Sequence, residues 1–108
     1  MADATVSRMS AYLICDVAVH DRDALTEYLQ LAEGTVESYG GRYLAQAGEL
    51  STIEGDWTPQ TVVVVEFPST KAAHDWYKSD EYAAALQVMP KAMVRKMIVV
   101  DGLETLAA

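Results

Sequence analysis

Strand-like and helix-like patterns alternate along this chain, and their order restricts the folds that it can adopt. Residues 11–19 are apolar and rich in β-branched side chains, which is typical of a strand. A helix beginning at Arg22 follows, because Asp21 is a suitable N-cap and apolar residues then recur every three or four positions. This predicted buried stripe consists of Leu25, Tyr28, Leu29, Ala32, Val36 and Tyr39. Gly40 and Gly41 end the helix, so the first part of the chain is predicted to be one strand and one long helix.

Strands and helices continue to alternate in the remainder of the chain. The further predicted elements are a strand at 42–47, a strand at 61–67, a helix capped by Ser69, a short helix capped by Ser79 and a strand at 96–101. We expect the short helix to end near Val88, because Pro90 lacks the N–H group that a helix interior requires. The order is therefore strand–helix–strand–strand–helix–strand.

This order is that of the ferredoxin-like βαββαβ fold, an α+β architecture. In that fold the antiparallel sheet has the strand order 4-1-3-2, and both helices cover the same face. A chain of 108 residues is long enough for one such domain. We expect the domain to occupy residues 11–102, with a flexible N-terminal tail at 1–10 and a C-terminal tail at 103–108.

Both faces of the predicted sheet are apolar, although the helices can cover only one of them. On the first strand the inward set is Leu13, Cys15, Val17 and Val19, and the outward set is Tyr12, Ile14, Asp16 and Ala18. The same parity adds to the outward face Arg42, Leu44, Gln46, Val62, Val64, Glu66, Lys96, Ile98 and Val100. Monomers tolerate exposed apolar patches of only a few hundred Å². This face therefore predicts a homodimer in which two copies pack sheet to sheet.

Glu66 is a carboxylate at the end of the most apolar run of the chain, the valines 62–65. The predicted topology places it between Arg42 and Tyr12 on the neighbouring strands. A carboxylate that is withdrawn from water needs such partners. We therefore predict a structural ion pair between Arg42 and Glu66, with a carboxylate that acts on a ligand as the alternative.

Polar and aromatic residues gather at the opposite end of the predicted sheet. Asp16 lies near the end of the first strand, His20 follows it, and the connection between the second and third strands brings Glu54 and Trp57 to the same end. A histidine beside a carboxylate suits general acid–base catalysis, because imidazole titrates near neutral pH. We predict Asp16 and His20 as catalytic residues, and Glu54 and Trp57 as ligand-binding residues. The structural alternative is a surface pair of Asp16 with Lys96 and a solvated His20.

Two helical aromatic residues complete this predicted site. Tyr28 lies on the inner stripe of the first helix and can line the floor of a pocket. Trp76 lies on the inner side of the next helix among several small residues, which leave room for a ligand, although packing in the core is the alternative. No metal site is predicted, because His20 and His74 lie on distant elements without a ligand spacing. No motif for phosphate or dinucleotide binding occurs, and no cofactor is predicted.

The composition restricts the partners of the chain. Eight Lys and Arg oppose sixteen Asp and Glu, which gives a formal charge of −8. Such a surface repels phosphate backbones and anionic lipid, so neither nucleic acid nor a membrane is an expected partner. The single cysteine, Cys15, excludes an internal disulfide, and the chain begins without the apolar segment of a secretory signal. We therefore expect a cytoplasmic protein.

Five stretches together resemble one known family: YGGRYLAQAG (39–48), EGDW (54–57), VVVVEFPS (62–69), WYKSDEY (76–82) and IVVDG (98–102). They are similar to the uncharacterised family numbered 1330 among domains of unknown function, within the dimeric α/β-barrel superfamily. The resemblance implies a ferredoxin-like fold and a sheet-to-sheet homodimer, but no established reaction. Relatives usually carry an arginine after the EY helix, where this chain reads VMP. If that arginine binds a ligand in relatives, Lys91 or Arg95 must replace it here.

The sequence is compatible with three functions. The preferred one is a cofactor-free enzyme that acts by proton transfer on a small aromatic or carbonyl-bearing metabolite, because carboxylate, histidine and aromatic residues gather at one end of the sheet. The alternatives are a non-catalytic homodimer that binds a small molecule and a structural or regulatory homodimer without a ligand.

Overall fold

Four long antiparallel strands form a sheet, and helices cover one of its faces. We describe residues 10–103 in full, and the backbone of 7–8 and 105–106, in a computed structural model of the chain. The elements in chain order are β1 (Ser7–Arg8), β2 (Ala11–Val19), α1 (Arg22–Ala32), α2 (Thr35–Ser38), β3 (Arg42–Gln46), β4 (Thr61–Phe67), α3 (Thr70–Tyr77), α4 (Asp80–Ala92), β5 (Met93–Asp101) and β6 (Thr105–Leu106). No helix within these ranges is both long and apolar enough to cross a membrane.

The strand order confirms the predicted topology. Within the sheet the order is β3-β4-β2-β5, and every neighbouring pair is antiparallel. Counted over the four long strands, this is the ferredoxin-like order 4-1-3-2 read from the opposite edge. β1 and β6 form a separate two-stranded ladder in which Ser7 lies opposite Leu106. Most of the predicted tails, 1–10 and 103–108, lies outside the described residues, so their extent stays a prediction.

Side chains cap the three longer helices at the residues that the sequence indicated. The capping hydrogen bonds run from Ala24 N to Asp21 Oδ1 (3.1 Å), from Ala72 N to Ser69 Oγ (3.0 Å) and from Tyr82 N to Ser79 Oγ (3.2 Å). Each bond satisfies one N–H group that the first turn of a helix leaves without an intrahelical partner, which stabilises the helix by about 1 kcal/mol. These caps determine where α1, α3 and α4 begin.

The first helix is interrupted, contrary to the single long helix that the periodicity predicted. α1 ends at Ala32 and α2 begins at Thr35, and Gly34 between them has a φ of +79°. Glycine adopts this left-handed conformation without the steric cost of a Cβ atom. Thr35 Oγ1 donates to the Ala32 carbonyl at 2.8 Å and so satisfies the end of α1. Of the predicted buried stripe, Leu29 is 46 % exposed, because it borders an open cleft.

α4 continues through Pro90 to Ala92, so the predicted end near Val88 is wrong. The helix loses one backbone hydrogen bond at Pro90, but contacts elsewhere in the fold hold its last turn. Ala92 is fully buried, and its carbonyl oxygen accepts the N–H groups of His20 (2.9 Å) and Asp21 (3.2 Å). β5 therefore starts immediately after the helix, earlier than the predicted strand.

The core lies between the sheet and the helices. Its most completely buried large side chains are Val36, Val65, Phe67 and Tyr82. The Trp76 ring packs against Phe67 and Tyr82, with centroid distances of 5.7 and 4.2 Å. Burial of an aliphatic or aromatic side chain contributes about 1.5–3 kcal/mol before the loss of conformational entropy is subtracted. The opposite face of the sheet has no covering layer among the described residues.

A β-bulge in β3 changes the predicted face of one residue. The paired positions are Arg42–Glu66, Tyr43–Val65, Ala45–Val64 and Gln46–Val63. The register therefore shifts at Leu44, and Gln46 joins the inward row instead of the predicted outward one. A strict alternation along the strand does not allow for the extra residue of a bulge, which is why the prediction for Gln46 was wrong.

The predicted ion pair is present at one end of the sheet. Arg42 Nε donates to Glu66 Oε1 at 2.8 Å, and Tyr12 Oη donates to Glu66 Oε2 at 3.5 Å. Hydrogen bonds from Ser10 and Arg42 lower the pKa of Glu66. The pair is open to water, since 74 % of the Arg42 side chain is exposed. The ion pair is therefore a cross-strand contact at the surface of the protein.

Arg42→Met should raise the pKa of Glu66 towards its ordinary value, because the variant removes one hydrogen bond to the carboxylate. A carboxyl group whose pKa is depressed by folding stabilises the protein above its unfolded-state pKa, and that contribution is lost as the pH falls through its folded-state pKa. We therefore expect the acid-unfolding midpoint, followed by circular dichroism, to move to higher pH. Carboxyl ¹³C NMR should show the changed titration of Glu66.

The matched control is Lys71→Met, which removes the Lys71–Asp75 pair (2.7 Å) on α3. It should leave the titration of Glu66 unchanged. If Glu66 titrates identically in Arg42→Met and in the wild type, the two residues are not energetic partners.

Candidate functional site

A cleft of about 690 Å³ opens on the helical side of the sheet, between α1, α2 and the inward row of all four long strands. Its lining is mainly aliphatic and includes Leu13, Cys15, Val17, Val63 and Val65 of the sheet and Leu25, Leu29 and Val36 of the helices. Small-molecule sites commonly have this volume and combine such a lining with a few polar groups. The cleft is therefore the candidate functional site.

One basic side chain reaches into this cleft from β5. Arg95 lies in the inward row between Met93 and Met97, because strand residues alternate between the faces. Arg95 Nη1 donates to Tyr28 Oη at 3.1 Å, and Nη2 donates to Tyr82 Oη at 3.0 Å. The two hydroxyl groups also form a hydrogen bond with each other. These three residues, Tyr28, Tyr82 and Arg95, are the tyrosine–arginine cluster.

The cluster joins three elements of the fold. Tyr28 is on α1, Tyr82 is in the first turn of α4 and Arg95 is on β5. The guanidinium group lies 5.7 Å from the centroid of the Tyr28 ring, within the range of a cation–π interaction. The rings of Tyr28 and Tyr82 meet edge to face at 6.3 Å. Hydrogen bonds and ring contacts therefore fix the orientation of the arginine at the wall of the cleft.

Arg95 has no carboxylate partner among the described residues. The two salt bridges found there do not involve any residue of the cleft. Glu33 and Glu37 border the cleft, but both are exposed to water. Because arginine stays protonated at physiological pH, the wall of the cleft carries a positive charge whose partners within residues 10–103 are two tyrosine hydroxyls and an aromatic ring.

Other ionisable groups of the site are protonated at neutral pH, and burial raises their pKa values further. It raises the pKa of Tyr82, and it raises the pKa of Tyr43 at the cleft to about 12, although 40 % of the Tyr43 residue is exposed. Burial also raises the pKa of the Cys15 thiol, and the nearby Arg95 lowers it only in part. At neutral pH these groups keep their protons, so they are hydrogen-bond donors and not bases.

Two of the predicted ligand-binding residues, Tyr28 and Trp76, line this cleft. Trp76 is 3 % exposed, and its Nε1 donates to Thr35 Oγ1 at 3.0 Å. It therefore forms a packed inner wall, whereas Tyr28 contributes a polar group. Whether either residue contacts a ligand stays a prediction.

Asp16 and Trp57 meet on the opposite face of the sheet. Trp57 Nε1 donates to Asp16 Oδ2 at 2.9 Å, and Asp16 lies opposite Lys96 on β5. Asp16 belongs to the outward row, whereas Tyr28 packs over the inward row. The sheet separates the two residues, so the predicted pocket that combines Asp16, Trp57 and Tyr28 does not form within one chain.

The remaining predicted site residues, His20 and Glu54, are exposed. Neither side chain makes a hydrogen bond within residues 10–103, and no hydrogen bond joins His20 to Asp16. Their catalytic and ligand-binding roles stay predictions. The described part of the chain also contains no group of three or more His, Cys, Asp or Glu residues that could hold a metal ion.

Sequence reasoning named Arg95 only as a substitute for the arginine of relatives, and it did not predict Tyr82 or Gln46 as cleft residues. The sequence does carry a signal for Arg95: it is a charged residue that alternates with apolar residues along one face of a mainly apolar strand. It was missed because the last strand was predicted to start at 96, so the face of Arg95 could not be assigned. The contact with Tyr82 requires the packing of α4 against the sheet.

Comparisons with known proteins support the fold. The family model described as Domain of unknown function (DUF1330) matches residues 10–103. A comparison with curated proteins finds no match. Among solved structures, a protein of unknown function from Rhodopseudomonas palustris is similar with a TM-score of 0.72 and 19 % identity, over 92 % of this chain and 87 % of that one.

Two further solved structures share the fold at lower identity. A dimeric ferredoxin-like protein of unknown function from Thermobifida fusca has a TM-score of 0.57 and 14 % identity, over 88 % of this chain and 91 % of that one. SnoaB, a cofactor-independent oxygenase from Streptomyces nogalater, has a TM-score of 0.53 and 11 % identity, over 91 % of this chain and 96 % of that one. At these identities the likeness shows the fold alone.

We expect Cys15 to resist alkylation by iodoacetamide in the native protein, because burial raises the pKa of the thiol and only the thiolate reacts. The folded thiol titrates above the unfolded one, so the ratio of the unfolded-state to the native alkylation rate is largest below the unfolded-state pKa. It shrinks as the pH rises through the folded-state pKa. Mass spectrometry of timed samples at pH 8 should show slower alkylation of Cys15 in the native protein than in the urea-unfolded protein. Equal rates in the two states would contradict the buried position of the thiol.

Proposed function

Because the chain belongs to the family described as Domain of unknown function (DUF1330), a description that names no reaction, we propose its function from the cleft itself. The protein binds a small, mainly apolar metabolite that carries a carbonyl group or another oxygen acceptor, and it acts on this metabolite by proton transfer without a cofactor. The observation that carries the proposal is the tyrosine–arginine cluster in an otherwise apolar cleft.

The chemistry of the lining supports this proposal. Aliphatic and aromatic side chains contribute binding free energy through apolar contact, and a few polar groups orient the ligand. Tyrosine can transfer a proton to a reacting oxygen that lies within hydrogen-bond reach. A fixed positive charge such as that of Arg95 stabilises negative charge that develops on that oxygen. Tyr28 is the proposed acid and Arg95 the proposed electrostatic partner.

The comparison with SnoaB is consistent with a reaction that needs no cofactor, since that protein is described as a cofactor-independent oxygenase. The shared fold by itself does not transfer an activity. Asp16 and His20 are retained as a separate proposal, a proton-transfer pair at the outward face next to Trp57 and Glu54. The cleft is preferred because its polar groups are hydrogen-bonded to one another, whereas no hydrogen bond joins Asp16 to His20 within the described residues.

A second candidate function is binding without catalysis. It is favoured by the lack of an evident base in the described lining of the cleft. This lining contains no histidine, and its carboxylates, Glu33 and Glu37, are exposed. A catalysed proton transfer needs a base as well as an acid, unless the substrate supplies one. Turnover of a bound compound that is lost in Tyr28→Phe would establish the enzyme, and binding without any turnover would establish the carrier.

We also propose a homodimer that forms through the outward face of the sheet. The exposed large hydrophobic residues on this face are Leu44 (47 %), Val94 (65 %), Ile98 (62 %) and Val100 (48 %). A contiguous set of this kind is a common mark of a protein–protein interface. The Thermobifida fusca structure is described as dimeric, which supports a second copy as the partner. The interface would include the row of Ile14, Val64 and Ile98.

Val64→Asp should convert the protein to a monomer, because it places an unpaired charge in the middle of the proposed interface. Sedimentation equilibrium at micromolar concentration should give twice 11.8 kDa for the wild type and 11.8 kDa for the variant. Ala84→Asp on the exposed side of α4 is the control and should remain dimeric. A wild-type mass of 11.8 kDa would overturn the homodimer.

Small aromatic and carbonyl compounds should shift NMR resonances of the cleft when they are screened against the ¹⁵N-labelled protein. We expect the shifts at Tyr28, Val63 and Arg95, and not at Asp16. Leu29→Trp should weaken binding, because the larger ring fills the border of the cleft. Leu31→Trp is the matched control, since Leu31 is on the same helix but outside the cleft. Shifts confined to the Asp16 end would move the site to the outward face.

A further inference from the structure

The hydroxyl hydrogens of the tyrosine–arginine cluster can be assigned from the groups that surround them. Each tyrosine hydroxyl has one hydrogen to donate and two lone pairs that accept, whereas a guanidinium group only donates. Arg95 Nη1 donates to Tyr28 Oη and Arg95 Nη2 donates to Tyr82 Oη. One hydrogen bond also joins the two hydroxyl groups, and either oxygen could be its donor. The direction of this bond decides which hydroxyl hydrogen stays available.

Burial determines that direction. Tyr82 is 0 % exposed, and its hydroxyl contacts only Tyr28 and Arg95 among the described residues. If Tyr28 donated to Tyr82, the Tyr82 hydrogen would have no acceptor in the core, and an unsatisfied buried donor costs about 1–3 kcal/mol. Tyr82 therefore donates to Tyr28. The Tyr28 oxygen then accepts two hydrogen bonds, and its own hydrogen is directed to neither of these partners.

Tyr28 is 9 % exposed and lines the cleft, whereas Tyr82 is 0 % exposed and does not line it. We propose that Tyr28 donates its free hydroxyl hydrogen to an oxyanion of the ligand, that Arg95 supplies the countercharge, and that Tyr82 is a positioning residue that fixes the direction of the Tyr28 hydrogen. The ligand class is a small aromatic carboxylate or phenolate. This inference rests on the proposed function of the cleft as a ligand site.

The charge of the cluster supports an anionic ligand. Among the described residues the guanidinium group of Arg95 has only neutral partners, so an anionic ligand would compensate a charge that the tyrosine hydroxyls do not. Glu33 and Glu37 at the border are exposed, so water screens their repulsion of an anion. Tyr43 and Cys15, which also line the cleft, carry no charge at neutral pH. Its remaining mainly apolar lining suits an aromatic body.

The direction of the hydrogen bond can be tested without a ligand. In protein labelled with ¹³C at the tyrosine ζ carbon, a hydroxyl that exchanges slowly in mixed H₂O and D₂O gives two resonances, and a rapidly exchanging one gives a single averaged resonance. We expect two resonances for Tyr82, whose hydrogen is enclosed, and one for Tyr28, whose hydrogen faces the open cleft. The reverse pattern, or slow exchange at both residues, would overturn the assignment. Fast exchange at both would also overturn it, because Tyr82 would then not be an enclosed donor.

The ligand class can be tested with benzoate and its neutral isostere benzamide. Benzoate should shift the Tyr28 and Arg95 resonances and bind at least about tenfold more tightly than benzamide, as expected for a charge-assisted hydrogen bond. Arg95→Met should remove this preference, and Tyr28→Phe should weaken benzoate binding by about tenfold while leaving benzamide less affected. Arg42→Met is the control, since it removes an arginine from the opposite face and should leave both affinities unchanged.

The outcomes separate this inference from the function on which it rests. Equal binding of benzoate and benzamide in the cleft would overturn the anionic ligand class and leave the cleft as a ligand site. If neither compound, nor any member of the wider screen, shifts the cleft resonances, the proposed function is overturned. In that case the hydroxyl exchange of Tyr28 and Tyr82 still decides the direction of the hydrogen bond.

Discussion

Successive residues of β2 alternate between two faces of different chemistry, and this alternation orients the sheet relative to the helices. β2 lies at the centre of the sheet and pairs with both β4 and β5. Its inward residues form the surface on which the helices pack, while Ile14 and Asp16 fall on the outward face. A shift of one residue in the register would exchange the two faces and bring Asp16 into the core. The packing of the inward row therefore determines the side on which the cleft opens.

The same alternation places the charge of Arg95 on the helical side of the sheet. Moving a guanidinium group out of water is unfavourable unless hydrogen bonds replace its hydration. Here two tyrosine hydroxyls and the face of the Tyr28 ring replace it, and no carboxylate of the described chain takes part. These neutral partners leave the charge uncompensated within residues 10–103, and this is the observation on which the proposed binding role of the cluster rests.

The sequence predicted those parts of the fold that depend on near neighbours or on strict periodicity. The caps at Asp21, Ser69 and Ser79 follow from side chains that reach N–H groups three residues away. The strand order and the contact of Arg42 with Glu66 follow from counting positions along regular strands. The predictions failed where a local rule was overridden: at the left-handed Gly34, at the bulge in β3, and in the last turn of α4, which buried packing extends past a proline.

The order of the elements, the starts of the helices and the presence of two apolar faces can be read from the sequence, because each depends on residues close together in the chain. Which polar groups meet depends instead on how the elements pack against one another. Tyr28 and Arg95 are 67 positions apart, and they come into contact because α1 and α4 pack over the inward row of β5. Asp16 and Tyr28 are much closer in sequence, yet the sheet separates them. A local sequence pattern indicates on which face of the sheet a residue lies. The residue that it contacts on that face depends on how the helices pack on the sheet.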